Sequence, residues 1–132
     1  KMKAKVILAG VLVALGMGLN ASAFAGAKDY AFEPVKAEVK EGPDAVVAVR
    51  LVHKPSGKPV EGAVLVSTRI DMAPDGMAAM ASPLTPLTNQ EPGVYAFKTK
   101  LSMAGRWQLS IAAKVQGEAE TVVGKLTFKA TE

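Results

Sequence analysis

Four methionines are the residues of this sequence best placed to do chemistry. Met72, Met77 and Met80 fall in "TRIDMAPDGMAAM" at spacings of five and three, and Met103 opens "MAGRW". The first three share their segment with Pro74 and the Asp75-Gly76 pair, residues that turn a chain rather than pack it. A thioether is soft, polarizable and uncharged, so converging thioethers favour Cu(I), whereas carboxylates and carbonyls suit hard cations. The competing role is packing, because Met also fills irregular gaps at the end of a core. Met72 continues an inward alternation and is the strongest candidate for that role. Met103 stands near enough to Trp107 for a sulfur–aromatic contact. The candidate metal ligands are therefore Met72, Met77, Met80 and Met103, with Cu(I) as the ion.

Other chemistries find less support. Asp71 and Asp75 flank Met72, but two carboxylates are too few for a calcium loop, and turn formation accounts for them. The chain has one histidine, His53, and no cysteine, which removes the common zinc ligand sets. His53 reads as a surface residue at a strand end. No nucleophile-elbow motif accompanies the serines, so the chain is not expected to be an enzyme. Arg69 and Arg106 are available to an anion pocket, although nothing else in the sequence outlines one.

The N-terminal segment has the order of a secretory signal. Lys1, Lys3 and Lys5 precede the uncharged run Val6 to Leu19, and small residues, "NASAFAGA", follow. Cleavage is expected after Ala25, with Ala23 as the alternative. The apolar run stops short of the ~20 residues a bilayer span requires, so no stable membrane anchor is expected after processing. The expected organisation is a signal over 1–25 and one domain over 26–132, exported to the periplasm. Three of the 16 basic residues lie in the signal, which has no acidic residue, so the rest is nearly balanced against 12 acidic residues. No basic patch remains for nucleic acid. With no cysteine, the exported domain must hold its core without disulfides.

The elements that would position the methionines alternate with period two. Trp107, Leu109, Ile111, Ala113 and Val115 point one way while Gln108, Ser110, Ala112 and Lys114 point the other, which marks a strand with one buried face. Val47, Val49 and Leu51 repeat the pattern. So do Val64, Val66, Thr68 and Ile70; Tyr95, Phe97 and Thr99; and Leu126 and Phe128. Turns separate these runs, among them Glu91-Pro92-Gly93-Val94, where Pro suits the second position of a type II turn and Gly the third. A single helical turn is allowed near Gly76 to Ala81. About seven strands, approximately 30–39, 45–53, 60–72, 84–88, 94–101, 105–115 and 121–130, imply an all-β, immunoglobulin-like antiparallel β-sandwich. If consecutive strands reverse direction, the end of the third shares a pole with the turn joining the fifth and sixth. That pole would hold Met72, Met77, Met80 and Met103, with His53 at the opposite one.

At "GKPVEGA" (57–63), "TRIDMAPDGMAAM" (68–80), "EPGVYAFK" (91–98) and "MAGRWQLSIAAKVQG" (103–117) the chain resembles the YtkA-like, FixH-family periplasmic domains, from about Asp29 to Phe128. The resemblance implies a small immunoglobulin-type sandwich associated with copper or heavy-metal efflux or with oxidase assembly. It would make the loop at Met72, Met77 and Met80 the metal-handling segment, with Met103 the matching methionine before the tryptophan. The expected partners are a metal ion and a periplasmic transporter or oxidase-assembly component. Two departures stand out: the loop has no histidine, and the chain lacks the durable anchor of FixH proteins. Two other functions stay open: a metal-free interaction module of an envelope transporter, and, from a label some relatives carry, an auxin-like small-molecule binder.

Overall fold

Apolar alternation closes this chain into two stacked sheets. The computed structural model describes residues 27–88 and 91–132; the expected signal segment and cleavage site lie outside them. A 3-10 turn, Ala27–Asp29, leads into β1 (Tyr30–Pro34), β2 (Glu38–Lys40), β3 (Gly42–His53), β4 (Lys58–Pro59) and β5 (Val64–Met72). A second 3-10 turn, Ala73–Asp75, precedes β6 (Met77–Ser82), β7 (Leu84–Leu87), β8 (Val94–Leu101), β9 (Gly105–Lys114) and β10 (Thr121–Thr131). One sheet has the order β1-β3-β8-β7, with β4 against the end of β3; the other runs β2-β10-β9-β5-β6. The architecture is an immunoglobulin-like β-sandwich. Among the described residues no helix is long and apolar enough to cross a membrane.

The expected inward faces form the core. Val47, Val49, Phe97, Trp107, Leu109, Ile111, Leu126 and Phe128 are all buried in one cluster, and Leu51, Val115 and Val122 form a second beside it. The Glu91–Val94 turn also forms as read: the Val94 amide donates to the Glu91 carbonyl at 2.9 Å, and Gly93 takes a φ of +79°. Tyr95 ties down the approach to β5, its hydroxyl donating to the Val60 carbonyl at 2.8 Å and accepting from the Ala63 amide at 3.0 Å.

Several expectations are corrected. The strand expected over 30–39 is two: β1 pairs with β3 in one sheet, and β2 pairs with β10 in the other. The chain crosses between sheets around Val35 to Ala37, where the Val35 amide still donates to Ala48 and the Ala37 carbonyl already accepts from Lys129. The β2–β10 pair is parallel, so the sandwich is not wholly antiparallel. The strand expected over 60–72 begins only at Val64. Its alternation also breaks: a bulge between Leu65 and Ser67 in the pairing with β9 inserts one residue and inverts parity N-terminal to it. Thr68, Ile70 and Met72 keep the inward face, but Val64 and Val66 are 62% and 53% exposed. The helical turn lies at Ala73–Asp75, before Gly76, and Met77–Ser82 is a strand.

Strands β6 and β7 form one path that changes sheets at Pro83. Strand β6 pairs with β5 at Ile70↔Ser82, and β7 then pairs with β8 from Leu84↔Thr99. Proline has no amide to extend the first pairing. The crossing is lashed to β8 by the Thr99 hydroxyl, which donates to the Pro83 carbonyl at 2.7 Å, and by the Ser82 hydroxyl, which donates to Lys100.

Candidate functional site

The methionine loop is a tight turn in which several backbone groups are hydrogen-bonded. The Asp71 carboxylate accepts from the Ala73 amide at 2.9 Å and so turns the chain out of β5. Pro74 suits the opening of the 3-10 turn because its missing donor has no partner to lose there. Gly76 ends the turn at a φ of +77°, its amide donating to the Ala73 carbonyl at 2.8 Å, a conformation that glycine adopts without strain. Met77 then pairs back against Met72.

Two arginines hold this loop down. Arg69 Nε donates to Asp71 at 2.8 Å and Nη2 to the Ala78 carbonyl at 2.8 Å. Arg106 Nε and its backbone amide each donate to Asp75 at 2.7 Å, and Nη2 reaches the Pro74 carbonyl at 2.7 Å. Both guanidinium groups are therefore engaged within the chain, which corrects their reading as parts of an anion pocket. Both carboxylates are likewise engaged, which agrees with a turn-forming role.

These pairs make the loop acid-sensitive. Burial pushes the Asp71 carboxyl upward, but the Ala73 amide, the Arg69 hydrogen bond and charge, and the Lys125 charge outweigh it and leave the group below its ordinary value. Asp75 is lowered chiefly by the Arg106 amide, then by its guanidinium, against a smaller opposing effect of burial. A carboxyl whose folded pKa lies below its unfolded value stabilises the fold fully above the unfolded value, and that contribution disappears as pH falls through the folded value. Stability is thus expected to be flat in these two groups from neutral pH to about pH 5 and to decline below about pH 4. Thermal unfolding across that range checks it. An Asp75→Asn variant should melt below wild type at neutral pH and converge with it in acid; a constant gap at all pH values contradicts the assignment.

The four methionines occupy one pole in different environments. Met72 is fully buried among Ile70, Leu101 and Trp107, which gives it the packing role. Its terminal methyl lies so close to Gly105 that an added Cβ there would stand 2.6 Å from it. Met77 is half-buried against the core. Met80 and Met103 are 39% and 40% exposed, so neither is a core filler. Trp107 reaches Met103 through the backbone, its indole N–H donating to the Met103 carbonyl at 3.1 Å. Strand β8 runs out at Leu101 and β9 starts at Gly105, which places Met103 in the connection beside the end of β5. His53 is at the far pole, its ring edge-on to Tyr30 at 5.2 Å and its Nδ1 2.8 Å from the Ser56 hydroxyl.

Among the described residues no three His, Cys, Asp or Glu side chains gather into a metal-binding group. With the Asp71 and Asp75 carboxylates bonded to Arg69 and Arg106, the candidate donors left at the pole are thioethers. A concavity of about 470 Å³ lies elsewhere, on the outer face of the second sheet between Ser67, Ala112, Val123 and Lys125. Sequence reading missed the arginine clamps and Gly105. Their signal is the pairing of Asp75 with a residue across 31 positions, which no local pattern contains.

A family model described as YtkA-like matches residues 24–112. No curated protein sequence matches the chain. Among solved structures, the crystal structure of the Lin-41 filamin domain is similar, with a TM-score of 0.45 and 19% identity over 81% of this chain and 98% of that one.

Proposed function

The chain belongs to the YtkA-like family, and from that premise we propose that it handles Cu(I) as cargo in the periplasm through the thioethers at its methionine pole. One observation carries this reading. Met80 and Met103 expose sulfur-bearing side chains at the same end of the sandwich, while the neighbouring carboxylates of Asp71 and Asp75 are taken by Arg69 and Arg106. Hard donors are thereby withdrawn and soft ones offered, the donor set that suits Cu(I). Met77, half-buried against the core, is the third ligand, and Met72 packs within the core itself. An exposed thioether site releases its ion readily to another protein, as a chaperone or accessory to an efflux transporter or an oxidase-assembly component requires.

The test is an anaerobic Cu(I) titration of the exported domain against a competing chelator. Replacing Met77 and Met80 together by Leu keeps apolar bulk and removes two donors, so tight binding is expected to be lost while the melting temperature holds. His53→Ala is expected to bind as wild type does. Affinity should change little between about pH 5.5 and 7.5, the range in which an ordinary histidine titrates, because thioethers do not take up protons there. Full binding by the double Leu variant would return the methionines to a packing role and leave the metal-free module as the reading.

A further inference from the structure

Solvent reaches the four methionines to very different extents. Met80 and Met103 are 39% and 40% exposed, whereas Met72 is fully buried and Met77 is half-buried against the core. The chain has no cysteine, so no thiolate competes for an oxidant, and Trp107 is sealed in the core. Exposed thioethers are therefore its most readily oxidised groups. With hydrogen peroxide, the sulfur lone pair attacks one peroxide oxygen and an S–O bond forms as the O–O bond breaks. The proton of the transferred hydroxyl passes to the departing one, which leaves as water. Sulfur is oxidised by two electrons to the sulfoxide and the peroxide is reduced by two.

The backbone around both exposed methionines is held by groups other than their side chains. The Trp107 indole N–H binds the carbonyl of Met103. Near Met80, Arg69 holds the Ala78 carbonyl, and the Ser82 hydroxyl ties the end of β6 to the Lys100 carbonyl. A sulfoxide at either position removes none of these bonds, and its oxygen stays in water. The same change at Met72 would bury an S=O dipole among apolar side chains without a partner. The fold thus separates the methionine that carries structure from the two that carry reactivity.

We propose that Met80 and Met103 are sites of reversible oxidation by peroxide, and that their conversion to sulfoxides shuts the pole to Cu(I). This control rests on the copper reading above. A sulfoxide presents oxygen, a hard donor, in place of a soft thioether sulfur, so two of the three ligands lose their match for Cu(I). The reverse step takes two thiols: the sulfoxide oxygen leaves as water, the thioether returns, and the thiols are oxidised to a disulfide. The chain itself has no thiol, so the reductant belongs to a second protein, a thiol-dependent methionine sulfoxide reductase, one enzyme serving each sulfoxide epimer. Because the buried Met72 is spared, the domain passes through the cycle folded.

The test treats the metal-free exported protein, labelled at its methionine methyl groups, with hydrogen peroxide and stops the reaction with catalase at intervals. Each methyl resonance reports its own sulfur. Met80 and Met103 are expected to convert at least about tenfold faster than Met72, with Met77 between them, because a buried sulfur reacts only after local opening. Protein carrying both sulfoxides should melt near the temperature of the untreated protein and bind Cu(I) at least about tenfold more weakly in the anaerobic titration. Incubation with both sulfoxide reductases should restore the affinity. The proposal is overturned if Met72 or Met77 reacts as fast as the exposed pair, if the doubly oxidised protein unfolds, or if reduction leaves the affinity low. Cu(I) binding that survives oxidation unchanged overturns this control alone. Untreated protein that fails to bind Cu(I) removes the copper reading, and the control falls with it.

Discussion

Trp107→Ala is expected to lower the unfolding free energy by roughly 3–5 kcal/mol, the usual range for truncating a large core aromatic. Trp107 is fully buried at the start of β9, with Phe128 opposite it on β10 and Ile70, Met72, Leu101 and Leu109 in the same cluster. Removing the indole opens a cavity where both sheets converge, and the pleated backbone has little freedom to collapse into it. The substitution also removes the donor to the Met103 carbonyl, so the connection carrying Met103 should loosen along with the core. Trp107→Phe separates the two effects: it retains most of the ring volume, loses the N–H, and should cost about 1–3 kcal/mol. Urea unfolding of both variants measures this. A loss below about 1 kcal/mol for the alanine variant would mean that Trp107 does not anchor the core.

Gly105→Ala is expected to cost roughly 2–5 kcal/mol, a large effect for the addition of one methyl group. Gly105 has a φ of +143°, a region that side-chain-bearing residues rarely occupy, and this strain accounts for about 1–3 kcal/mol. The added Cβ would also stand 2.6 Å from the Met72 methyl and 2.7 Å from an Asp75 oxygen, closer than non-bonded atoms approach. Something must move. If Asp75 gives way, it leaves the Arg106 amide and guanidinium that it binds in the native state, and the loop between Met72 and Met77 loses one of its two arginine clamps. The expected result is therefore twofold: lower stability in urea, and a changed Arg106 amide resonance with a weaker acid dependence of stability. An alanine variant as stable as wild type, with the Arg106 amide unmoved, would contradict the close packing at this turn.

Much of the fold was legible because the relevant signals are local. The alternation from Trp107 to Val115 depends only on strand geometry, and all five inward residues are buried. The Glu91–Val94 turn follows from the dihedral preferences of proline and glycine, and its hydrogen bond is present. Reversal of successive strands brought Met72 and Met103 to one pole and sent His53 to the other, although the path contains more strands than expected. That parity survived because β6 and β7 act together as one return path in place of the expected fourth strand.

The same reasoning failed where a contact distant in sequence overrides a local pattern. Val64 and Val66 read as inward residues, yet the bulge against β9 turns them to solvent, and it is this failure that leaves an apolar edge on β5. The exposure of Met80 and Met103 was equally invisible, because a methionine has the same sequence signature in a core and on a loop, whereas the inward alternation had already marked Met72 for the core.

What the sequence by itself determined is the period, the turn chemistry, and the donors available at the methionine pole: thioethers, two carboxylates and two arginines. Which of those donors stay free for a ligand was decided only by the tertiary structure. Asp75 and Arg106 meet across 31 positions, and their hydrogen bonds form only once β5 and β9 are paired. Side-chain identity sets what a group can bind, but the folded backbone sets which partner reaches it first.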